Sequence, residues 1–547
     1  MNTLRSQWSC RRAHAAGKAT RGIILASFAA ATVAAAAQVA ATVSTAPANT
    51  EVLAAAAADA LVAGRPPLLH SAADDAFARQ PVVSSVGLQY VPYRRTYRGL
   101  PVYGGDFVVV TDRGGHVLST SVAQTKVITV STVPARGAAE AAATATAASR
   151  STVVDSVAVP RLVVYALGTP RLAWETVVRG HTGVRPSAVH VFVDAVSGVV
   201  LDRYDEIADA DDPSTAGDSS GGTHRGTSNG TGVRNGNGAI YGSVAIQTTG
   251  SGSAFSMADP TRPGTACADY STTAVLTGDD DVWGNGDGSL IETGCVDALF
   301  SAEREWDMFR AWFGRNGIDG DGHGFPIQVG LDAPTAFWGG SYVAIGHNTA
   351  GRYIGAFDVV GHELGHALDS TTPGGSAGNG VREATGDIIG TALEFFARDP
   401  HDPPDFTIGE QVNILGDGPI RRMYNPALVG DPNCYSSAIP TMDVDQAAGP
   451  LDHWFTLVAK GSAARDGLPA SPTCNGSTVI GLSTWTAARI FYNAMLSKTT
   501  AMSYLRYRTA TLDAAKNLFP GNCGPFTTVK AAWDAINVPA QATDPTC

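Results

Sequence analysis

The spacing of apolar positions divides the chain into stretches of different period. Residues 38–80 are rich in alanine and read as a helical or irregular lead-in. Residues 88–91 and 107–111 are short β-branched and aromatic runs, the composition of strands, and Asp112-Arg113-Gly114-Gly115 closes the second in a turn. The Ala/Thr-rich residues 136–150 predict a helix. A second strand group follows at 162–166, 172–178, 189–193 and 199–201. The pattern then lapses. Residues 206–232 are mostly Asp, Ser, Gly, Thr and Asn, too polar to bury a core, and predict an exposed, protease-sensitive linker. Globular patterning resumes at about 233, strand-rich and glycine-rich at first and helical in its last part.

At 547 residues the chain is too long for one ordinary domain. Its net charge of −12 argues against nucleic acid or anionic membrane as the main partner. Arg5, Arg11, Arg12, Lys18 and Arg21 precede an apolar run over 23–37 that ends in small residues. That order predicts a signal peptide over 1–37 and secretion, since the run is short of the roughly 20 residues that span a bilayer. Cys10 would leave with it. Six cysteines remain, an even number that suits disulfides in an exported chain. Six allow 15 pairings; the sequential one, 267–295, 434–474 and 523–547, is expected because each pair closes a local loop.

The chemistry centres on His362-Glu363-Leu364-Gly365-His366. Histidines four apart on a helix share a face and can ligate one zinc, with the adjacent glutamate turned to a metal-bound water. Alone, the five residues also fit a surface helix with solvated histidines. A second helical stretch, Arg382-Glu383-Ala384-Thr385-Gly386-Asp387-Ile388, offers Glu383 as an oxygen ligand. Asp387, four residues on, would hydrogen-bond the far nitrogen of a ligating histidine.

At these residues the chain resembles the thermolysin family of peptidases over roughly 228–547. Further shared runs are Asp358-Val359-Val360-Gly361, Ala336-Phe337-Trp338 and Asp452-His453-Trp454-Phe455. The strand groups before 206 resemble the family's propeptide modules, of fungalysin/thermolysin type over 80–130 and PepSY type over 136–205. The resemblance implies zinc on His362, His366 and Glu383, with Glu363 as general base. It implies substrate contacts at Arg421, at the edge strand of Ala336, and in an apolar pocket lined by Val359 and Ile420. It also implies calcium at Asp358, Glu394, Asp405 and Glu410; one family acid is replaced by Thr407, so a single ion is expected.

The chain departs from the family at three places. Asp445 stands where the family has the histidine that meets the developing oxyanion. An ionised carboxylate would repel that charge, and could serve only if burial near other acids kept it protonated. Residues 370–379 lack the family's tyrosine. Arg382 replaces the usual asparagine before the third ligand. His453 reads as a helix-packing residue.

The expectation is therefore an α+β protein: antiparallel-sheet propeptide modules over 38–205, a linker carrying the maturation cleavage over 206–232, and a two-lobed peptidase. Its strand-rich lobe would cover 233–370, its helical lobe 371–547, and the active site would lie between them. The expected function is a secreted, zinc-dependent neutral endopeptidase made as a zymogen and preferring bulky apolar residues after the scissile bond. Its partners would be protein or peptide substrates and its own propeptide as chaperone and inhibitor, in a monomer. The alternative is a catalytically impaired, zinc-binding pseudo-peptidase that acts as a binding or inhibitory protein.

Overall fold

The computed structural model describes residues 49–210, 233–378 and 380–547. The expected leader, 1–37, and most of the expected linker, 211–232, lie outside the described residues. The N-terminal strands form one 11-stranded sheet. Its two halves are antiparallel within themselves and join through a parallel pair, Leu100–Tyr103 with Arg161–Tyr165. The strand that begins at Leu88 runs on to Tyr97, six residues beyond the expected four, because Tyr93 to Tyr97 pair with Asp75 to Arg79.

Alternation explains how this sheet attaches to the rest of the protein. Leu88, Tyr90, Val108 and Val110 point to one face and join the main core. Val91, Tyr93, Phe107 and Val109 point to the other, under helix α1 (Thr50–Ala63). Helix α2 (Ala138–Ala148) covers Val189, Val191 and Val193 of the second half in the same way. Full burial of each such side chain contributes roughly 1.5–3 kcal/mol, so the attached face is a substantial part of the fold's stability. Polar contacts add specificity: Tyr90 Oη donates to Asn493 at 2.8 Å, and Arg506 donates to the Ala123 carbonyl at 2.7 Å.

The next lobe holds Cys267–Asp269, Ile327–Val329 and Val343–Ile345 as parallel neighbours, with Ala336–Trp338 antiparallel at the edge. Helix α3 (Ile291–Met308) packs on this sheet, and the disulfide Cys267–Cys295 ties the two together. Helix α4 (Phe357–Ser370) follows and packs against the edge strand. The remainder is helical: α5 (Gly380–Ala397), α6 (Gly449–Ala459), α7 (Thr484–Leu496), α8 (Tyr504–Leu518) and α9 (Cys523–Ala535). Cys434–Cys474 and Cys523–Cys547 complete the sequential disulfide pattern.

The linker expectation needs a correction at its start. Residues 208–210 are a strand that pairs antiparallel with the edge, Ala208 opposite Trp338 and Ala210 opposite Ala336. A sheet edge offers unpaired backbone donors and acceptors, so even a three-residue segment docks there.

Candidate metal centre

Helices α4 and α5 pack closely against each other, and glycine makes this possible. Gly361 and Gly365 on one face Gly390 and Gly386 on the other, where an added Cβ would lie within about 3 Å of the opposing Cα. A Cβ on Gly386 would stand 2.6 Å from Nδ1 of His362. The close approach brings three donor atoms together. His362 Nε2 and His366 Nε2 are 2.9 Å apart, and Glu383 Oε2 lies 3.4 and 3.6 Å from them. Zinc bonds of about 2.0–2.1 Å require tetrahedral ligands roughly 3.3 Å apart, so these atoms fit a zinc ion, and two nitrogens with one carboxylate are the donor set zinc accepts. All three side chains are buried.

Their electrostatics suit a cation. Burial favours a neutral His366 and lowers its pKa to about 4, with His362 adding to the effect. Burial acts the same way on His362, yet hydrogen bonds to Asp387 and Glu383 outweigh it and raise the ring well above the usual range. Burial opposes ionisation of Glu383, but the two histidines hold it well below the usual carboxylate range. The site is thus a buried triad of two imidazoles and one ionised carboxylate. Glu363 is fully buried on the same helix, and its charge bears on His362.

Asp387 accepts a hydrogen bond from His362 Nδ1 at 2.8 Å, which leaves Nε2 as the ligating nitrogen. Arg421 reaches Asp387 at 3.4 Å and Asp445 at 2.7 Å. These contacts bear on the condition under which Asp445 could serve as a donor. Its carboxylate is engaged by a guanidinium and its side chain is 23% exposed, so it is not buried among acids as a protonated donor would require. A contributor that sequence reasoning passed over is Asp452. Burial first, then the charge of Asp387, push its carboxyl well above the usual range, and it shares a hydrogen bond with Asp387. A neutral acid in that position can donate to the carboxylate that orients His362. His453, the next residue, is buried and bonded through Nδ1 to the Asn433 carbonyl at 2.8 Å.

The remaining candidates surround this centre. Ala336 sits on the edge strand, paired with the junction strand 208–210. Val359 is buried on α4 and Ile420 is half-buried. Arg382 turns to the junction segment: it donates to the carbonyls of Asp205 at 2.7 Å, Glu206 at 2.6 Å and Ile207 at 3.4 Å.

A second cluster of acids lies at the far end of α5. Asp358, Glu394 and Asp402 place carboxylate oxygens within 4.8 Å of one another. Asp405 donates its backbone N–H to Glu394 at 3.3 Å, and Thr407 Oγ1 lies 2.7 Å from Asp405 and 2.9 Å from Glu410. Burial and mutual repulsion raise Asp358 and Asp402 to about 7 and Glu410 to about 8. Such a set of oxygens suits a hard cation. Asp402 was missed in sequence; the density of acids and prolines in residues 399–405 was the only available signal.

Comparison with known proteins places these features. Residues 233–370 match the model for the thermolysin metallopeptidase catalytic domain, and 375–538 that for its alpha-helical domain. Residues 79–122 match the fungalysin/thermolysin propeptide motif. The chain is 38% identical over 480 residues to a transglutaminase-activating metalloprotease of Streptomyces mobaraensis, covering 83% of this chain and 60% of that protein. It is 29% identical over 488 residues to a thermolysin of Alicyclobacillus acidocaldarius subsp. acidocaldarius, covering 83% and 84%. A bacillolysin of Bacillus caldolyticus is 30% identical over 403 residues, covering 69% of each chain.

Proposed function

The chain belongs to the thermolysin family of metallopeptidases, and on that premise we propose that it is a secreted, zinc-dependent neutral endopeptidase made as a zymogen. The observation that carries this reading is the convergence of His362, His366 and Glu383 at 2.9, 3.4 and 3.6 Å. A zinc ion held there supplies Lewis acidity, polarising a peptide carbonyl and acidifying water. Glu363 takes the proton from the attacking water and returns it to the leaving amine. Asp387, supported by Asp452, keeps His362 in the ligating tautomer. Arg421 offers positive charge beside the reacting carbonyl, and the Ala336 edge strand pairs with the substrate backbone. Val359 and Ile420 line the pocket for a bulky apolar residue after the scissile bond.

The N-terminal sheet acts as propeptide, and the junction strand 208–210 occupies the edge that substrate would take. Cleavage within 211–232 is the maturation step. Asp358, Glu394, Asp402, Asp405 and Glu410 hold calcium through carboxylate oxygens, the first three of them buried. Among the described residues no helix is long and apolar enough to cross a membrane, which is compatible with an exported protein. The Streptomyces relative's name points to a protein substrate, and we propose that class here. A second reading, a zinc-bound pseudo-peptidase, is favoured by Asp445 in place of an oxyanion donor. Casein hydrolysis by the matured protein, abolished by a zinc chelator and restored by zinc, supports the peptidase. A zinc-loaded protein that leaves casein intact supports the pseudo-peptidase.

A further inference from the structure

Arg382 directly precedes the ligand Glu383 on α5, is 9% exposed, and lies near enough to the triad for its charge to bear on His366. Its two terminal nitrogens donate to three successive main-chain carbonyls, those of Asp205, Glu206 and Ile207. An extended strand turns successive carbonyls to opposite sides. One guanidinium therefore collects three in a row only from a chain that bends. The bend is at Glu206, between the strand Val200–Asp205 and the strand Ala208–Ala210.

Groups of the N-terminal sheet set that bend. Asp205 Oδ1 accepts from the backbone N–H of Ala188 at 2.7 Å and of Ile207 at 3.0 Å, which ties the turn to the neighbouring strand Arg185–Asp194. The Glu206 N–H donates to the Ala188 carbonyl at 3.0 Å, and its carboxylate accepts from His190 Nε2 at 2.8 Å. The sheet's own residues thus build the shape, and α5 supplies the guanidinium that reads it. Past the bend, Ala208–Ala210 pairs with Ala336–Trp338. A cut within 211–232 falls after both features, so it breaks the chain without removing any of these contacts.

We propose that Arg382 is the residue by which the peptidase part recognises its own N-terminal sheet: it binds the bend at 205–207 as a folded feature, before and after the linker is cut, and so keeps 208–210 on the Ala336–Trp338 edge. The partner this surface fits is the folded N-terminal fragment, not an extended substrate, whose carbonyls alternate. The inference rests on the peptidase reading and deepens it by naming what keeps the edge covered in the cut precursor.

The test uses the full chain in a Glu363→Gln background, with a recognition site for a specific protease placed in 211–232 and each variant checked for one zinc per chain. The nicked protein is held by a C-terminal tag, and the rate at which the N-terminal fragment leaves is measured on dilution. Hydrogen bonds from a charged donor of this kind correspond to about tenfold to hundredfold. Arg382→Ala should release the fragment faster by that factor, and Arg382→Lys should recover part of the hold. Asp205→Ala, which loosens the bend and leaves the peptidase part unaltered, should also speed release. Because both variants break one recognition, the double variant should exceed the faster single one by no more than about threefold. Release from Arg382→Ala at the parent rate overturns the proposal, as does a double variant whose effects multiply. Should Arg382→Ala not fold, unchanged release from both Arg382→Lys and Asp205→Ala overturns it equally. Wild-type protein freed of the fragment yet inert on casein overturns the peptidase reading instead, and is told apart because the release rates are read without turnover.

Discussion

Asp387→Asn is the perturbation that isolates the orienting shell of the metal centre. The carboxylate is fully buried and accepts from His362 Nδ1 at 2.8 Å while facing Arg421 at 3.4 Å. Asparagine keeps the shape but removes the charge, and it can turn an amine instead of an oxygen toward Nδ1. A hydrogen bond to a charged group contributes about 1.5–3 kcal/mol. Loss of a partner that orients a ligating histidine typically costs about 10–100-fold in metal affinity; at about 1.4 kcal/mol per decade the two ranges agree. Arg421 retains Asp445 at 2.7 Å, so the helix packing should survive. The assay is a competitive zinc titration against a chromophoric chelator, made in a Glu363→Gln background to suppress self-cleavage. The expected result is a zinc Kd weakened about 10–100-fold with unchanged far-ultraviolet circular dichroism. A Kd within twofold of the parent refutes the assignment of Asp387 as the residue that fixes the His362 tautomer.

Other outcomes follow from neighbouring contacts. Asp452→Asn preserves a donor toward Asp387 and should leave zinc affinity within about threefold, whereas Asp452→Ala should weaken it by about tenfold, read in the same titration. Asp445→His exchanges an acidic group for a donor and should raise kcat on casein by about tenfold; a fall would mean that the hold on Arg421 matters more than the oxyanion. In the N-terminal sheet, burial disfavours a charged His190, but Glu175 and Glu206 outweigh this and raise its pKa to about 9. A raised histidine stabilises fully below its unfolded pKa of about 6.5 and loses that contribution as pH climbs through about 9. The Tm of the Glu363→Gln precursor should therefore fall between those values, and His190→Gln should flatten the slope. For the acid cluster, raised carboxylates destabilise the ion-free protein progressively from about pH 4 to about pH 8. Millimolar calcium should raise the Tm most at the upper end, and an effect equal at pH 5 and pH 8 would contradict the site.

The elements written in local pattern were legible in the sequence. The runs at 107–111 and 136–150 became a strand at Phe107–Thr111 and a helix at Ala138–Ala148, because β-branched runs and alanine-rich runs carry their own preference. The pairing of α4 with α5 was legible through spacing, since His362, His366, Glu383 and Asp387 recur at helical intervals. What depended on distant partners was not. Nothing in Asp205 to Ala210 announces an edge strand more than 120 residues away, nor a guanidinium at Arg382. Asp402 lies in an irregular stretch where no periodicity marks which acids face inward. Asp445 could be singled out along the chain, but its pairing with Arg421 is visible only in three dimensions.

The central claim is that His362, His366 and Glu383 hold a zinc ion and that Glu363 moves the proton. The most direct measurement is zinc content alongside kcat on a single peptide for matured wild type and Glu363→Gln. The expected result is one zinc per chain in both, with kcat lower by about 10²–10⁴ in the variant. Equal zinc with kcat reduced less than about threefold would contradict the role of Glu363, and a wild type without stoichiometric zinc would contradict the centre itself.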